Sequence, residues 1–280
     1  MEFHIRTVFF LGILTGIFLL LGGLLGGTEG VIIAFVFAAV LNLGSYYFSD
    51  KIALAMYKAQ PAEVKTVDGR RMQDIASRIA QRMELPMPRL FIVNESSPNA
   101  FATGRGPNHS AIVFTTGILS LLNDSELEGV MAHELAHVKN RDVLIASMAA
   151  TIAGAIGMIA HSMMWFGVGG REENQNPIGL LILAISIPII ATLVQLAVSR
   201  SREFLADETA AKTLNSGTGL SSALRKLETG IHRNPMENAN EGTAHLFISN
   251  PFAGEGLMGV FMTHPPLAER VKRLDSGVWR

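Results

Sequence analysis

Four long apolar runs constrain this chain more than any other feature. They fall at roughly residues 8–27, 31–48, 143–166 and 178–198. Crossing the hydrocarbon core of a bilayer takes about 20 mostly apolar residues of helix. In lipid every backbone polar group must be satisfied within the segment, so runs of this kind are helices. The first two are separated only by Thr28-Glu29-Gly30, which predicts a tight hairpin. No A-x-A-like site follows the first run and a second begins at once, which argues against a cleaved signal peptide. The third and fourth are rich in Gly and Ala. They fit either a span or a helix buried in a soluble core, and their length and lack of charge favour spanning. With 49% hydrophobic and 7% aromatic residues, the chain is too apolar for an ordinary soluble enzyme. Gly12 with Gly16, Gly22 with Gly26 and Gly23 with Gly27 have the spacing that lets helices approach closely, although glycine is also simply tolerated in lipid.

Flanking charges give an orientation. Lys51, Lys58, Lys65, Arg70 and Arg71 follow the second run; Lys139 and Arg141 precede the third; Arg200 and Arg202 follow the fourth. The two opposite loops carry only Arg171, offset by Glu172 and Glu173. Cations collect on the cytoplasmic side, which puts residues 51–141 and 200–280 there. Four regions follow: a transmembrane hairpin at 1–50, a soluble part at 51–142, two membrane helices at 143–198 and a second soluble part at 199–280. A net charge of −1 and the lack of a basic stripe argue against a nucleic-acid partner. No G-x-x-x-x-G-K-[ST] sequence occurs, so no nucleotide is expected. Without cysteine there is no disulfide, no thiolate metal site and no thiol nucleophile.

His133-Glu134-Leu135-Ala136-His137 stands just before the third run. Leu127, Val130, Met131, Leu135 and Val138 recur at helical spacing over residues 124–141, and Ser125 with Glu128 has capping-box spacing. In such a helix His133 and His137 lie about 6 Å apart along the axis and about 40° around it, so both imidazoles can face one metal ion. Glu134 sits about 100° round from His133, which suits a base acting on water at the metal better than a ligand. The competing reading is an amphipathic helix with two half-buried histidines.

A catalytic zinc site takes three protein ligands. With cysteine absent, the third is His, Asp or Glu. Glu203 and Asp207 share a helix face within 199–207, so Glu203 could ligate while Asp207 accepts the second N–H of a ligand histidine. Taken alone, these carboxylates also fit a solvated face paired with Arg200 and Arg202.

Four blocks now carry a resemblance over essentially the whole chain. They are Asn99-Ala100-Phe101-Ala102-Thr103-Gly104, the H-E-L-A-H block, the stretch 199–207, and Thr263-His264-Pro265-Pro266 with Arg270. The chain resembles the HtpX heat-shock family of membrane-bound zinc metalloproteases, relatives of the CAAX-prenyl protease. The resemblance implies an α+β, mostly helical, zincin-like (gluzincin) protease domain in an integral membrane protein. It implies one zinc ion per chain on His133, His137 and Glu203, with Glu134 as catalytic base. It further implies His264 and Arg270 as oxyanion stabilisers, against the plainer reading of a His-Pro helix start and a surface arginine. A bacterial cytoplasmic membrane, a cytoplasm-facing site and polypeptide substrates, membrane proteins among them, are implied in the same way.

The soluble part predicts a helix at 69–85 and strands at 90–93 and 110–116, with the turn-rich stretch 99–106 between the strands. A strand just before an H-E-x-x-H helix resembles the edge strand of zincins, on which substrate pairs by β-augmentation. By that resemblance Asn99, Ala100, Phe101, Ala102 and residues 111–114 line the substrate cleft. The function expected is hydrolysis of misfolded or damaged membrane and cytosolic proteins without ATP. The alternative is a zinc-binding membrane scaffold or chaperone without proteolysis.

Overall fold

The computed structural model describes residues 2–149, 151–152, 200–233, 246–248 and 265–279. Most of the third apolar run and all of the fourth lie outside these; residues 143–149 and 151–152 are helical.

Helix α1, Glu2–Met56, folds back on itself at Gly27, where φ is 57° and ψ −139°. That conformation is open to glycine and strained for any L side chain. The chain reverses at this residue, just ahead of the expected Thr28–Gly30 turn. The arms then pack antiparallel. Asn42 Nδ2 donates to Thr15 Oγ1 at 3.0 Å, and Phe18 meets Phe37 edge to face at 5.3 Å. A Cβ on Gly22 would lie 2.4 Å from the Gly30 carbonyl oxygen, so this glycine marks the crossing. Gly12, Gly16 and Gly26 face nothing within 4 Å among the described residues, so most of the small-residue pattern does not serve this contact. The second arm, Gly26–Met56, is long and apolar enough to cross a membrane, the one such helix among the described residues. Ile32, Ile33, Phe35, Val36 and Val40 are exposed along it, the arrangement a lipid-facing surface takes.

Past α1 come β1 (Gln60–Pro61), α2 (Val67–Met83), β2 (Arg89–Val93), β3 (Ala100–Gly104), β4 (Ser110–Thr115), α3 (Thr116–Leu121) and α4 (Asp124–Lys139). Then follow α5 (Arg200–Leu214), α6 (Thr218–Arg233) and α7 (Leu267–Ser276). Thr66 caps α2 by accepting from the Gly69 amide, two residues ahead of the expected start. The sheet order is β1-β2-β4-β3, with β2 and β4 parallel and the other pairs antiparallel. Two expectations change here. The strand before the H-E-x-x-H helix, β4, is bonded on both sides and is not the edge, so residues 111–114 cannot take a substrate strand. The edges are β1 and β3, and β3, the one against α4, is formed by the stretch that the sequence marks as turn-rich.

One face of the sheet packs against α2 and α4, and α4 in turn against α5 and α6. Met72, Ile79, Ile112, Phe114, Leu127, Val130, Met131, Leu135, Ala206 and Leu224 meet there and are buried. Each large side chain so buried contributes about 1.5–3 kcal/mol, so α4, at the centre, is held by packing on every side. The other face is covered by Ala53, Leu54 and Tyr57 from the end of α1, together with Leu246 and Phe247. The membrane arm is thereby fastened to the back of the sheet whose front carries the histidine helix. A partly exposed Arg89–Asp50 ion pair of 2.5 Å lies at that junction.

Candidate metal centre

Helix α4 begins with a capping box, Asn123 with Glu126: the Asn123 side chain accepts from the Glu126 amide and the Glu126 carboxylate from the Asn123 amide. The box therefore sits two residues ahead of the Ser125–Glu128 spacing seen in the sequence. It fixes the helix start, and from there the i, i+4 geometry brings His133 and His137 to one face. Their Nε2 atoms are 3.2 Å apart and the rings stand nearly perpendicular, at 86°. Helix α5 supplies Glu203, whose Oε1 lies 3.4 Å from His137 Nε2 and whose Oε2 lies 3.8 Å from His133 Nε2.

These three edges test whether a metal fits. Tetrahedral zinc with bonds of about 2.0–2.1 Å separates its ligand atoms by roughly 3.3–3.4 Å. The two Nε2 atoms are 3.2 Å apart, and they stand 3.4 and 3.8 Å from Oε1 and Oε2 of Glu203, close to that separation. The donor set, two imidazoles and a carboxylate all within 4.8 Å of one another, is a catalytic-zinc set. The residues fit the ion.

Two carboxylates hold the imidazoles from behind. Asp207, one turn beyond Glu203, has Oδ1 3.0 Å from His133 Nδ1. Asp142 has Oδ2 3.4 Å from His137 Nδ1. With Nδ1–H donated outward, Nε2 of each histidine is the nitrogen that would give its lone pair to a metal. Asp142 does not stand out in the sequence. Its signal is Arg141, which takes positive φ (61°) just past the end of α4 and turns Asp142 back onto the helix.

Arg270 is fully buried. Its Nε and Nη2 donate to the two Asp207 oxygens at 2.8 and 2.7 Å, and Nη1 donates to the Ile248 carbonyl at 3.2 Å. It also comes within 3.5 Å of Glu203. The guanidinium thus fixes Asp207 and also lies 3.3 Å from both ring nitrogens of His133, so it braces that histidine directly as well as through Asp207. His264, paired with it by resemblance, lies outside the described residues.

Electrostatics divides the two histidines. Burial, with Arg270 close by, lowers the His133 pKa to about 4, so this imidazole is neutral as a ligand must be. Burial would lower His137 too, but the Asp142 hydrogen bond and the Glu203 and Glu134 carboxylates raise it to about 9. Burial raises Glu134 to about 7; Glu203 adds to this, while His137, Arg270 and a hydrogen bond from the Ala102 backbone oppose it. A base works best with a pKa near the operating pH. Arg270, donating two hydrogen bonds, holds Asp207 below the usual carboxylate range against the opposite push of burial.

The cleft residues read from the sequence divide by face. Ala100 and Ala102 belong to the cluster on the α4 side, whereas Phe101 turns to the back of the sheet with Tyr57 and Phe247. Asn99 is buried at the start of β3, where its Oδ1 accepts from the Ala100 amide at 3.1 Å.

Comparison with known proteins agrees with this geometry. Residues 67–278 match the model of peptidase family M48. A "Protease HtpX homolog" of Syntrophobacter fumaroxidans is 48% identical, covering 97% of this chain and 98% of the relative. The protein of the same description from Syntrophotalea carbinolica is also 48% identical, covering 97% and 98%. That from Aquifex aeolicus is 47% identical over 92% of this chain and 88% of its own length. The crystal structure of S. mikatae Ste24p is similar with a TM-score of 0.49 and 21% identity, covering 94% of this chain and 62% of that one; so distant a likeness adds nothing to the chemistry. A match spanning α2 to α7, with relatives near half identical from end to end, leaves one assignment: the chain belongs to peptidase family M48 and is a metallopeptidase.

Proposed function

We propose that the chain is a membrane-anchored zinc endopeptidase that cuts misfolded or damaged membrane and cytosolic polypeptides, serving protein quality control and stress response without ATP hydrolysis of its own. The observation that carries the reading is Glu134. It is a buried carboxylate of raised pKa, one residue from a ligand histidine and hydrogen-bonded to the edge strand on which a peptide would lie.

A zinc ion on His133, His137 and Glu203 would supply Lewis-acid activation of water and of the scissile carbonyl. The chain's own residues do the rest. Glu134 takes the proton of the attacking water on a carboxylate oxygen and returns it to the nitrogen of the leaving amine. Asp207 and Asp142 keep Nδ1 of each histidine protonated, so Nε2 stays free to ligate. Strand β3 aligns the substrate backbone by β-augmentation. His264 is assigned the oxyanion, by family resemblance. Arg270 is assigned a positioning role, because its donors are spent on Asp207 and Ile248.

The relatives are bacterial proteins named as proteases. With the apolar arm Gly26–Met56 fastened to the sheet, this supports a bacterial cytoplasmic membrane. The charge pattern favours several spans and a cytoplasm-facing site. The test is Glu134→Gln in full-length, zinc-loaded protein. Casein cleavage should vanish while zinc stays stoichiometric. Undiminished cleavage would refute the assignment of Glu134, and a wild-type chain that binds zinc but cuts nothing would favour a scaffold.

A further inference from the structure

The outer edge of β3 is already taken, and this bears on how substrate reaches the site. In an antiparallel pair alternate residues point their N–H and C=O at the partner strand. The Thr115 amide donates to the Asn99 carbonyl at 3.0 Å. In the β3–β4 register this makes Asn99, Phe101 and Thr103 the set facing β4, and leaves Ala100, Ala102 and Gly104 facing outward. Each outward residue is engaged by the chain itself. The Ala100 carbonyl accepts from the Ile248 amide at 3.0 Å. Ala102 is hydrogen-bonded to Glu134. The Gly104 amide donates to Ser147 Oγ at 3.2 Å.

The first of these contacts comes from far along the chain and is one backbone hydrogen bond to the strand edge, of the kind an added strand would make there. Residues 246–248 cross the edge of the sheet. Phe247 stacks on Phe101 (5.3 Å) and Tyr57 (5.1 Å) on the back face, while Ile248 enters the apolar cluster on the α4 side. Both are almost fully buried. The Ile248 carbonyl is gripped by Arg270, the same guanidinium that fixes Asp207. One short segment therefore donates to the edge strand, buries an aliphatic side chain in the core on the α4 side and ties its carbonyl to Arg270 beside His133.

We propose that residues 246–248 are a built-in competitor for the substrate strand: the Ile248 amide occupies the Ala100 carbonyl that a substrate amide must reach, and an extended peptide bearing an aliphatic side chain in the place of Ile248 displaces it. This rests on the endopeptidase reading above. Binding a substrate then means exchanging one strand-edge hydrogen bond and one buried aliphatic side chain for equivalents. A polypeptide with exposed apolar segments can make that exchange, and a folded one cannot. Discrimination for unfolded chains is thus built into the resting site.

The test uses full-length, zinc-loaded protein in detergent with casein as substrate. Ile248→Pro removes the competing N–H, and Phe247→Ala removes the aromatic anchor of the same segment. Losing one hydrogen bond from the competitor should raise kcat/KM about 2- to 10-fold, mainly through KM, with zinc content unchanged. In the Glu134→Gln chain, which holds substrate without cutting it, amide exchange at Ile248 should be slow alone and accelerate when casein is added. Sequencing the casein fragments should show aliphatic residues enriched at one fixed distance from the cut. Variants that keep zinc with unchanged or lower kcat/KM, or an Ile248 amide whose exchange casein does not alter, would overturn the proposal while leaving the protease reading in place. A wild-type chain that cuts nothing overturns that reading instead, and the exchange measurement still decides whether the segment yields to a peptide.

Discussion

Glu134→Gln should stabilise the metal-free protein, and by an amount that depends on pH. The carboxyl is 2% exposed, and burial carries its pKa from 4.5 to about 7. A folded-state pKa above the unfolded one means that the folded chain binds the extra proton. This group's contribution is therefore fully present below about pH 4.5 and is lost as pH rises through about 7. At 1.36 kcal/mol per pKa unit, a rise to about 7 costs the folded wild type about 3 kcal/mol once Glu134 is ionised. Glutamine keeps the shape and the acceptor for Ala102 but never ionises. The assay is thermal unfolding of metal-free wild type and variant in the same detergent from pH 4 to pH 9. The curves should coincide at the acid end and separate between pH 5 and 7. The variant should end higher by roughly 6–12 °C, at about 2–4 °C per kcal/mol for a domain of this size. A constant gap, or a wild type that gains on the variant with rising pH, would refute the claim that Glu134 is a strained, desolvated base.

Other outcomes follow from the same geometry. Asp142→Asn removes the acceptor that fixes His137 and should weaken zinc binding about 10- to 100-fold in a competition titration with a chelating dye; unchanged affinity would deny Asp142 its orienting role. His137 is raised to about 9, so a metal must displace its proton. Zinc affinity should therefore fall by up to about tenfold per pH unit between pH 9 and 7, with proton release seen by calorimetry in two buffers; a flat profile would contradict this. Arg270→Met strands the buried Asp207 carboxylate and should cost about 3–5 kcal/mol in denaturant unfolding. Adding Asp207→Asn should recover part of that loss, and a double variant no better than the single would refute the pairing.

What the sequence revealed depends on range. The i, i+4 pairs His133/His137 and Glu203/Asp207 are fixed by helix geometry alone, so both pairs were legible as candidates; the joining of Glu203 to the two histidines as a triad was what the family resemblance implied. The hairpin was legible because lipid leaves its two runs no other form; only the turn residue, Gly27, differed. The edge strand was not. Ala100–Gly104 is short, small in side chain and flanked by turn formers, and its strand character comes from pairing with β4. Which strand lies at the edge is likewise a property of the whole sheet. Asp142 was hidden because it reaches His137 through a positive-φ residue rather than by helical spacing. The sequence leaves Arg270 between an oxyanion group, by resemblance, and a surface residue on a short helix; the partners that bury it stand 63 and 22 residues away.

Glu203 is the residue proposed to complete a zinc site with His133 and His137. Metal analysis of purified full-length wild type beside Glu203→Ala, with casein cleavage read in the same samples, tests it most directly. The wild type should hold one zinc per chain and cleave casein, and the variant should lose both. Stoichiometric zinc retained after Glu203→Ala would contradict it.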